Sequence, residues 1–356
     1  MNAQAWKSPP ASASNRPIGV AQLADLSPAQ QDVSRDFLIG SRAAWQDINS
    51  RGGVRGRPIQ HLTLETDGSP SSLRVALDSI RDNAACVVLS GTVGDTLATL
   101  ALASIGELNI AQAAPWLQTS DARIDDRTFP IFAAREQQIT YALKVLSVMG
   151  LQQLGAVFPS KAHQDAYREE VERIAGGMDL KLQQFYAVSG LRELGQKMTA
   201  ETPPVLLFMA GTPELADFTQ GLEKQTRQRY VVALADVNLL TMVQMGAARN
   251  TPVIATQPVP PVNSSLPVVR SYRETLERLF DEPPTSLSLA GFIAARYTHS
   301  VLKGVEGAVT RSTVLEAFQR RENQDLGGFR ITFDAQRRSG QYVTQSMMSP
   351  NGRVIW

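Results

Sequence analysis

The sequence predicts an α/β protein of more than one domain, in which helices cover both faces of parallel sheets. The chain has 356 residues, and a single hydrophobic core stops growing at roughly 250–300 residues. Apolar strand-like runs alternate with amphipathic helix-like runs, which is the pattern of parallel strands joined by helices. This alternation occurs twice, once before and once after Phe132.

The first series of elements begins at residue 18. Phe37, Ala44 and Ile48 fall on one face of its first helix, as burial against a sheet requires. Gly52 and Gly53 end this helix, because glycine readily adopts the left-handed conformation found after helix termini. The series predicts strands at residues 18–23, 59–65, 85–89 and 108–111, and helices at residues 34–49, 71–82 and 96–105.

The second series repeats the same plan after Phe132. It predicts helices at residues 137–149, 165–176, 191–199 and 213–224, and strands at residues 154–158, 181–186, 205–209 and 230–234. A proline-rich passage at residues 256–261 predicts an extended crossing segment, because it is short and lacks the glycine and serine of a flexible linker. Helical patterns at residues 267–280 and 286–303 and β-rich segments at residues 329–333 and 341–348 complete the chain.

Composition and charge exclude several classes of function. The formal net charge is +1 and no run of Lys and Arg occurs, which argues against a nucleic-acid surface. No stretch of about 18 uninterrupted apolar residues exists, so we expect no insertion into a membrane. One cysteine, Cys86, and three scattered histidines predict neither a metal site nor a cofactor. The G-x-S-x-G motif of hydrolases is absent, and we expect no catalysis.

The N-terminal residues 1–16 predict a disordered or tag-like segment, polar and rich in small residues. They lack the apolar centre of a secretory signal. Residues 11–14, Ala-Ser-Ala-Ser, are similar to the region just after a cleaved signal. Two interpretations therefore stay open: an exported protein whose signal has been removed, or a cytoplasmic protein.

A glycine-rich turn carries a resemblance to a known family. Residues 49–59 read Asn-Ser-Arg-Gly-Gly-Val-Arg-Gly-Arg-Pro-Ile. They resemble the Ile-Asn-x-x-Gly-Gly-Val-x-Gly-Arg-x-Ile turn of the leucine/isoleucine/valine-binding proteins, which are type I periplasmic solute-binding proteins of ABC transporters. Residues 266–272 and 326–330 look like further segments of that family, and the similarity extends from Pro17 to about Ile355.

The resemblance implies a fold of two Rossmann-like lobes that close on a ligand about a hinge. Three crossovers would join the lobes, near residues 132–135, 255–261 and 329–334. The first lobe would hold residues 17–132 and 262–328, and the second residues 133–261 and 329–356. The resemblance also implies a periplasmic component of an ABC importer, whose partners are a small-molecule ligand and the membrane subunits of the transporter.

The loop that follows residue 89 is the first candidate ligand site. In open α/β sheets, ligands bind beyond the carboxyl ends of the strands, and backbone N–H groups at a helix N-terminus favour an anion. In the family this loop holds the ligand carboxylate through a hydroxyl and backbone amides. The resemblance therefore assigns ligand contacts to Thr92, Gly94, Asp95 and Thr96. For Asp95, which stands near the family's serine, capping of the following helix is an equal alternative.

The loop at residues 112–116 is the second candidate and contributes Gln112, Ala114 and Trp116. The family has Ser-Pro-x-Ala-Thr here, and Trp116 falls on the threonine. A tryptophan in such a loop can wall a pocket and stack on a planar ligand, which favours an aromatic or bulky ligand. Packing against a neighbouring loop is the alternative.

The second series contributes four further candidates. Phe158 and His163 lie in a loop where the family shows Asp-x-x-Tyr-Gly, and His163 falls on the tyrosine; a surface or structural histidine is the alternative. Asp236 follows a predicted strand, at the place where the amino-acid binders set an acidic residue against the ligand ammonium; a helix cap is the alternative. Arg135 lies at the first crossover and suits either an anionic ligand or a hinge salt bridge.

Together these features predict an extracytoplasmic solute-binding protein for a small carboxylate-bearing ligand, an amino acid or an aromatic acid. Because Asp95 and Asp236 would repel a bare acid, the ligand should also carry a donor or a cation unless both aspartates are caps. The alternative function is a cytoplasmic or receptor-linked ligand sensor on the same fold. A hydrolase on a similar α/β fold is a third hypothesis, but it requires a catalytic constellation that the sequence does not show.

Overall fold

The computed structural model describes residues 16–148, 150–225, 227–340, 342–349 and 352–355. Of the N-terminal segment, only Arg16 falls within these ranges, so the prediction of a disordered or tag-like segment lies outside the described residues. Gln341, the first residue of the last predicted strand, also lies outside them.

The first part of the chain forms a parallel five-stranded sheet with helices between its strands. Its elements are β1 (Ile18–Asp25), α1 (Gln31–Ser50), β2 (Ile59–Thr66), α2 (Pro70–Asp82), β3 (Cys86–Ser90), α3 (Asp95–Ser104), β4 (Ala111–Ala113) and β5 (Thr128–Phe129). The strand order is β2-β1-β3-β4-β5. The inner strand β1 is buried along its whole length, as expected of a strand covered on both faces.

The middle of the chain builds a second sheet on the same plan. Its elements are α4 (Arg135–Val148), β6 (Gln153–Phe158), α5 (Lys161–Gly176), β7 (Lys181–Tyr186), α6 (Leu191–Gln196), β8 (Val205–Phe208), α7 (Thr212–Leu222), β9 (Tyr230–Ala233), α8 (Leu239–Gln244) and β10 (Val253–Gln257). These strands are all parallel, in the order β10-β9-β8-β6-β7.

The last part of the chain contributes helices that pack on α1 and strands that extend the second sheet. Its elements are α9 (Pro267–Leu279), α10 (Ser286–Lys303), α11 (Arg311–Gln319), β11 (Gln324–Asp325), β12 (Arg330–Ile331), β13 (Thr344–Met348) and β14 (Val354–Ile355). The helix α1 packs against α9 and α10, and one hydrophobic core joins Phe37, Phe292 and Phe318. The strands β13 and β14 extend the second sheet beyond β10: β13 is antiparallel to β10, and β14 is antiparallel to β13. The strands β11 and β12 form a small antiparallel pair.

Glycines allow α1 and α10 to approach closely. A Cβ atom at Gly40 would lie 1.6 Å from the carbonyl oxygen of Ser288, and one at Gly291 would lie 1.9 Å from that of Phe37. The helix α10 begins with a capping box, in which the side chains of Thr285 and Ser288 each accept a hydrogen bond from the other residue's backbone N–H. This packing fixes the direction of α1, which starts just beyond the carboxyl end of β1.

The chain passes between the two sheets three times, as the resemblance implies. It crosses between β5 and α4, between β10 and α9, and between β12 and β13. The architecture is therefore that of two Rossmann-like lobes joined by three crossovers.

Several elements differ from the prediction. The predicted strand at residues 108–111 starts only at Ala111, because Ile105–Leu108 form a 3-10 turn and Asn109 is left-handed, with a φ of 45°. The predicted crossing at residues 256–261 begins as the end of β10, which pairs with β9 and β13. The helices α8 and α11 were not predicted, since they have only 6 and 9 residues and show too little periodicity.

In the described part of the chain, no helix is long and apolar enough to cross a membrane. In the same residues, no three His, Cys, Asp or Glu side chains are grouped so that they could hold a metal ion. Cys86 is buried at the start of β3, the environment expected of a core thiol.

Candidate ligand-binding cleft

A cavity of about 390 Å³ lies between the two lobes, where the carboxyl ends of both sheets face each other. The first lobe contributes the loops after β1 and β2 and the start of α3, and the second contributes the loops after β6, β8 and β9. Open α/β sheets bind ligands at this edge, and small-molecule pockets measure about 300–1,000 Å³. The cavity therefore has the place and the size of a small-ligand site.

Asp25 is the last residue of β1, is only 3% exposed and lines the cavity. Its Oδ1 accepts a hydrogen bond from the backbone N–H of Ser27 at 2.8 Å. Within the described residues its Oδ2 has no hydrogen bond and its carboxylate has no ion pair. Gly68 and Gly94, both with positive φ, make room for it, because a Cβ atom at either would lie within 2.8 Å of the Asp25 side chain.

Asp95 and Arg135 form the most highly connected polar group of the cleft. The Oδ1 of Asp95 accepts hydrogen bonds from the backbone N–H groups of Gln118 at 2.7 Å and Thr119 at 2.9 Å. Its Oδ2 accepts one from Nη2 of Arg135 at 2.7 Å. Both side chains are largely buried, so the charge of each is compensated mainly by the other.

The guanidinium of Arg135 has two further neighbours. It lies over the ring of Tyr167, 4.2 Å from the ring centre, and its Nη1 lies 3.7 Å from Oε2 of Glu170. Burial alone would lower the pKa of Arg135, but Asp95, Tyr167 and Glu170 outweigh burial and raise it above its ordinary value. Arg135 is therefore a permanent cation whose charge is already used within the protein.

Trp116 and Asp236 connect the lobes across the cleft. The Nε1 of Trp116 donates a hydrogen bond to Oδ1 of Asp236 at 2.7 Å. Burial raises the pKa of Asp236 to about 6; the charge of Asp95 acts in the same direction, and the hydrogen bond from Trp116 opposes it. The indole of Trp116 is 1% exposed and packs against Phe37 and Phe132, with ring centres 5.7 and 5.4 Å apart.

A second hydrogen bond between the lobes lies outside this cavity. Nδ2 of Asn238 donates to Oδ2 of Asp36 at 2.8 Å, and Asp36 is on α1. Near the first crossover, Oε1 of Gln138 accepts hydrogen bonds from the backbone N–H of Ala235 and the hydroxyl of Thr256, each at 3.0 Å. The two hydrogen bonds between the lobes, Trp116 to Asp236 and Asn238 to Asp36, hold the lobes in their present arrangement. Those of Gln138 join α4 to the second sheet.

Three buried polar atoms of the cavity-lining residues have no hydrogen-bond partner within the described residues: Oε1 of Gln30, Nε2 of Gln118 and Oε2 of Glu214. The side-chain oxygen of Gln118, Oε1, accepts a hydrogen bond from Nε2 of Gln138. Buried polar atoms are nearly always paired, so a ligand is the expected partner for atoms of this kind.

The wall of the cavity is strongly acidic. Across the residues that the structure describes, it contains five carboxylates, one arginine and one histidine. Arg135 is paired with Asp95, and hydrogen bonds from Ser69 and Ser72 lower the pKa of Asp67 to about 2. The carboxylates without an ion pair in the described residues are Asp25, Asp67, Glu214 and Asp236. Like charges that share one cavity repel one another, so this wall disfavours a ligand of net negative charge.

A family model described as periplasmic binding protein matches residues 17–348. The chain belongs to the periplasmic binding protein family. None of the curated proteins matches the chain.

Solved structures of periplasmic binding proteins and related receptors resemble the chain over nearly its whole length. An extracellular ligand-binding receptor from Verminephrobacter eiseniae ef01-2 is 16% identical with a TM-score of 0.86, covering 96% of this chain and 100% of the other. A substrate-binding periplasmic protein from Ralstonia solanacearum is 20% identical, with a TM-score of 0.83 and coverages of 95% and 99%. The branched-chain amino acid transporter substrate binding protein from Streptococcus pneumoniae, in complex with isoleucine, is 12% identical, with a TM-score of 0.80 and coverages of 95% and 97%. These likenesses confirm the type I periplasmic binding protein fold.

Part of the ligand site predicted for this periplasmic binding protein comes together in the cavity. The predicted residues that line it are Asp95, Thr96, Arg135, His163 and Asp236. Of these, Thr96 and His163 are exposed, and Nδ1 of His163 lies 3.0 Å from Oγ of Ser160. Their contact with a ligand stays a prediction.

The other predicted ligand contacts are buried and are not part of the described cavity wall. They are Thr92, Gly94, Gln112, Ala114, Trp116 and Phe158. For Trp116 the structure favours the packing alternative, because Phe37 and Phe132 cover the indole that was expected to stack on a planar ligand. The preference for an aromatic ligand loses its structural basis.

The alternative of helix capping is wrong for both aspartates. Gly94 is the N-cap of α3, which has no side-chain cap, and Asp95 is the first residue of the helix. Asn238 caps α8 through hydrogen bonds from the backbone N–H groups of Leu240 and Thr241. For Arg135 the alternative of a salt bridge near the first crossover is what the structure shows.

Sequence reasoning missed several residues of the cavity wall, among them Asp25, Gln118, Tyr167 and Glu214. The rule that ligands bind beyond strand carboxyl ends would have found Asp25 and Glu214, had it been applied to the ends of β1 and β8. For Gln118 and Tyr167, nothing in the neighbouring sequence indicates a place in the cavity wall. Tyr167 reaches the cavity from the second turn of α5, and Gln118 from an irregular loop after β4.

Proposed function

We propose that this periplasmic binding protein is the solute-binding component of an ABC importer, which holds one small ligand in the cleft and catalyses no reaction. The observation that carries the proposal is the cavity of about 390 Å³ whose polar wall comes from both lobes. A molecule bound there contacts both lobes at once, so its binding stabilises the closed arrangement.

The moving parts in this proposal are the two lobes with the boundaries expected from the resemblance, residues 17–132 with 262–328 and residues 133–261 with 329–356. The packing of α9 and α10 on α1 supports this division, and so does the pairing of β13 with β10. Three crossovers are a suitable hinge, because a few residues can absorb the change in backbone angles.

The membrane subunits of an ABC transporter are the proposed protein partner, and the periplasm is the proposed location. Membership of the family supports both, as does the shared fold with the isoleucine-bound transporter protein from Streptococcus pneumoniae. The proposal of binding without catalysis draws on the cleft itself, where Asp95 is committed to Arg135 and Asp236 to Trp116.

The sequence predicted a carboxylate-bearing ligand, and the charges of the cleft restrict this class. Asp95 turns its carboxylate to the amides of Gln118 and Thr119, so the first N–H groups of α3 stay available for a ligand anion. The unpaired Asp25, Glu214 and Asp236 would nevertheless repel a bare acid. An amino acid with a cationic group offers a carboxylate to the N–H groups of α3 and a positive charge to the unpaired carboxylates. It therefore suits the cleft better than an aromatic acid does.

A thermal-shift screen of amino acids, amines, amides and aromatic acids tests the proposed function. Ligand at about 100 times Kd should stabilise the protein by roughly 2.7 kcal/mol. Small-angle scattering with the strongest stabiliser should then show a smaller or equal radius of gyration, and never a larger one, because the ligand holds the lobes together.

Two alanines provide a matched pair of variants for this test. Ala29→Trp places a large side chain at the cavity wall and should abolish binding, whereas Ala166→Trp alters an exposed position of α5 that does not line the cavity. Equal affinity of both variants for a confirmed ligand would show that the ligand binds elsewhere. A complete metabolite library that produces no stabilisation would overturn the proposed function.

A further inference from the structure

Two unpaired carboxylates face the same cavity from opposite lobes. Asp25 ends the first strand of the first lobe, and Glu214 lies in the first turn of α7 in the second. Each has an oxygen without a hydrogen bond in the described part of the chain: Oδ2 of Asp25 and the buried Oε2 of Glu214. Neither carboxylate has an ion pair there, although Asp25 is only 3% exposed.

Both carboxylates line the part of the cavity that is formed by the end of β1, its following loop and the start of α7. Gly211, just before α7, shows how near this loop is to the start of α7. A Cβ atom built on it would lie 3.3 Å from the backbone oxygen of Ala29, in the loop after β1, and 3.4 Å from Oε2 of Glu214. Two carboxylates without an ion pair in the described residues therefore face one cavity from opposite lobes, where their negative charges disfavour closure.

We propose that the cleft takes a ligand of net positive charge, an amine or guanidinium compound, whose cationic group lies between Asp25 and Glu214. The inference rests on the proposed function as a solute-binding protein and names the class of ligand. A cation in this position satisfies both unpaired oxygens and removes the repulsion between the lobes. Asp236 is a third carboxylate of the same cavity and adds to the attraction.

The remaining wall explains why the occupant is an organic cation. The cavity of about 390 Å³ is much larger than a metal ion, and no three ligand-type side chains are grouped for a metal among the described residues. Nε2 of Gln118 is a buried donor of the same wall without a partner there. The ligand therefore combines a cationic group with a hydrogen-bond acceptor, such as a hydroxyl, a carbonyl or a second amine.

Pairs of compounds that differ only in charge give the sharpest test. Putrescine and its neutral analogue 1,4-butanediol form one pair, and choline and 3,3-dimethyl-1-butanol form another. Agmatine and L-arginine extend the cationic set, while L-leucine and benzoate represent zwitterions and anions. We expect at least one cation to raise Tm and to bind in calorimetry, and its neutral analogue to bind at least tenfold more weakly.

Substitutions that keep shape and remove charge assign the effect to the two carboxylates. Asp25→Asn and Glu214→Gln should each weaken the binding of that cation by at least tenfold. Should Asp25→Asn fail to fold, Glu214→Gln alone decides, because Glu214 is only partly buried on a helix surface. The control is Glu193→Gln, an exposed glutamate of α6 that pairs with Lys197, and its affinity should equal that of the wild type.

The outcomes separate this inference from the function on which it rests. Stabilisation by L-leucine or benzoate, without stabilisation by any of the cations, overturns the inference and leaves the solute-binding function standing. A cation that binds equally well to both charge-removed variants also overturns it. Failure of the complete metabolite library overturns the proposed function and the inference together.

Discussion

Asp47 and Asp25 are buried carboxylates of the same lobe, and they have opposite electrostatic surroundings. Asp47 is on α1, and its side chain, with no exposed surface, has ion pairs with Arg51, Arg278 and Arg296 at 3.1, 2.6 and 2.5 Å. Asp25 accepts one backbone hydrogen bond and has no ion pair within the described residues. A buried charge is costly unless it is paired, so the chain compensates the carboxylate that joins helices and leaves uncompensated the one that lines the cleft.

The same difference appears in how carboxylates of the two regions titrate. Burial alone would raise the pKa of Asp47, but the hydrogen bond from Arg278 and the charge of Arg296 outweigh burial, and the pKa is lowered. In the cleft, burial raises the pKa of Asp236 to about 6. Uncompensated charge reduces stability, and binding sites commonly keep such groups because a ligand uses them.

The largest effect is expected from Asp47→Asn, because it removes the charge that joins α1 to α9 and α10. Three arginines then lose their shared partner, and breaking a buried pair in this way costs roughly 3–5 kcal/mol of the free energy of unfolding. Chemical denaturation at pH 7 measures the loss. The control is Asp78→Asn, which alters an exposed helical aspartate paired with Arg81. If Asp47→Asn lowered the free energy of unfolding no more than this control does, the ion pairs of Asp47 would not be what stabilises the packing of α1.

The next largest effect is expected from Asp236→Asn, and it has the opposite sign. The folded-state pKa of Asp236, about 6, lies above its ordinary value of 3.8. The native protein therefore binds more protons than the unfolded chain between about pH 4 and 6, and stability falls as pH rises through this window. Removing the charge should raise the free energy of unfolding by about 3 kcal/mol at pH 8 and hardly change it at pH 4.

Thermal unfolding of both proteins between pH 4 and 8 measures this prediction. The difference between wild type and Asp236→Asn should grow from pH 4 to 6 and stay constant above pH 7. Asp47→Asn should behave in the reverse way. The lowered pKa of Asp47 stabilises the native protein above about pH 4, and that contribution disappears as pH falls through the folded-state pKa. Parallel pH profiles for the two variants would contradict the difference between the two regions.

The fold was largely predictable because its signals are local and regular. The helix α1 shows a clear apolar face, and Gly52 and Gly53, both with positive φ, end it as expected. The errors fall where local pattern is weak. The strand β10 carries few distinguishing residues before Pro258 and is defined by its pairing with β9 and β13, which no local pattern reveals.

The candidate site was less predictable, because its residues depend on tertiary contacts. In the sequence, Trp116 lies in a loop where a pocket residue is expected. Phe37 and Phe132 lie elsewhere along the chain and cover the indole only once the lobe has folded. Asp95 likewise looks like a cap, and only the approach of the loop at Gln118 and of Arg135 shows what its carboxylate does. Pattern locates the loops of the cleft, but packing decides which side chains reach it.

A smaller effect is expected from Trp116→Phe, which keeps an aromatic ring between Phe37 and Phe132 and removes the hydrogen bond to Asp236. A hydrogen bond to a charged group contributes about 1.5 kcal/mol, so stability at pH 8 should fall by about this amount. Because the bond joins the lobes, the radius of gyration of the ligand-free variant should also increase. Double substitution with Asp236→Leu, which has no acceptor, tests the coupling: a destabilisation by Trp116→Phe that is unchanged in the Asp236→Leu background would show that the hydrogen bond contributes nothing.

The smallest effect on stability is expected from His163→Ala, which shows what a cleft residue without a structural role should do. His163 is exposed on the first turn of α5, and its side chain contacts only Ser160 and the edge of Tyr167 within the described residues. Ser160 caps the helix through the backbone N–H of residue 163, which alanine retains, so unfolding should change by less than about 0.5 kcal/mol. Because the imidazole lines the cavity, the affinity for a confirmed ligand should nevertheless fall by about three- to tenfold, the value of one hydrogen bond. Arg168→Ala, an exposed position of the same helix outside the cavity wall, is the control and should change neither quantity. An unchanged affinity in His163→Ala would restrict the ligand to the acidic end of the cleft, away from the start of α5.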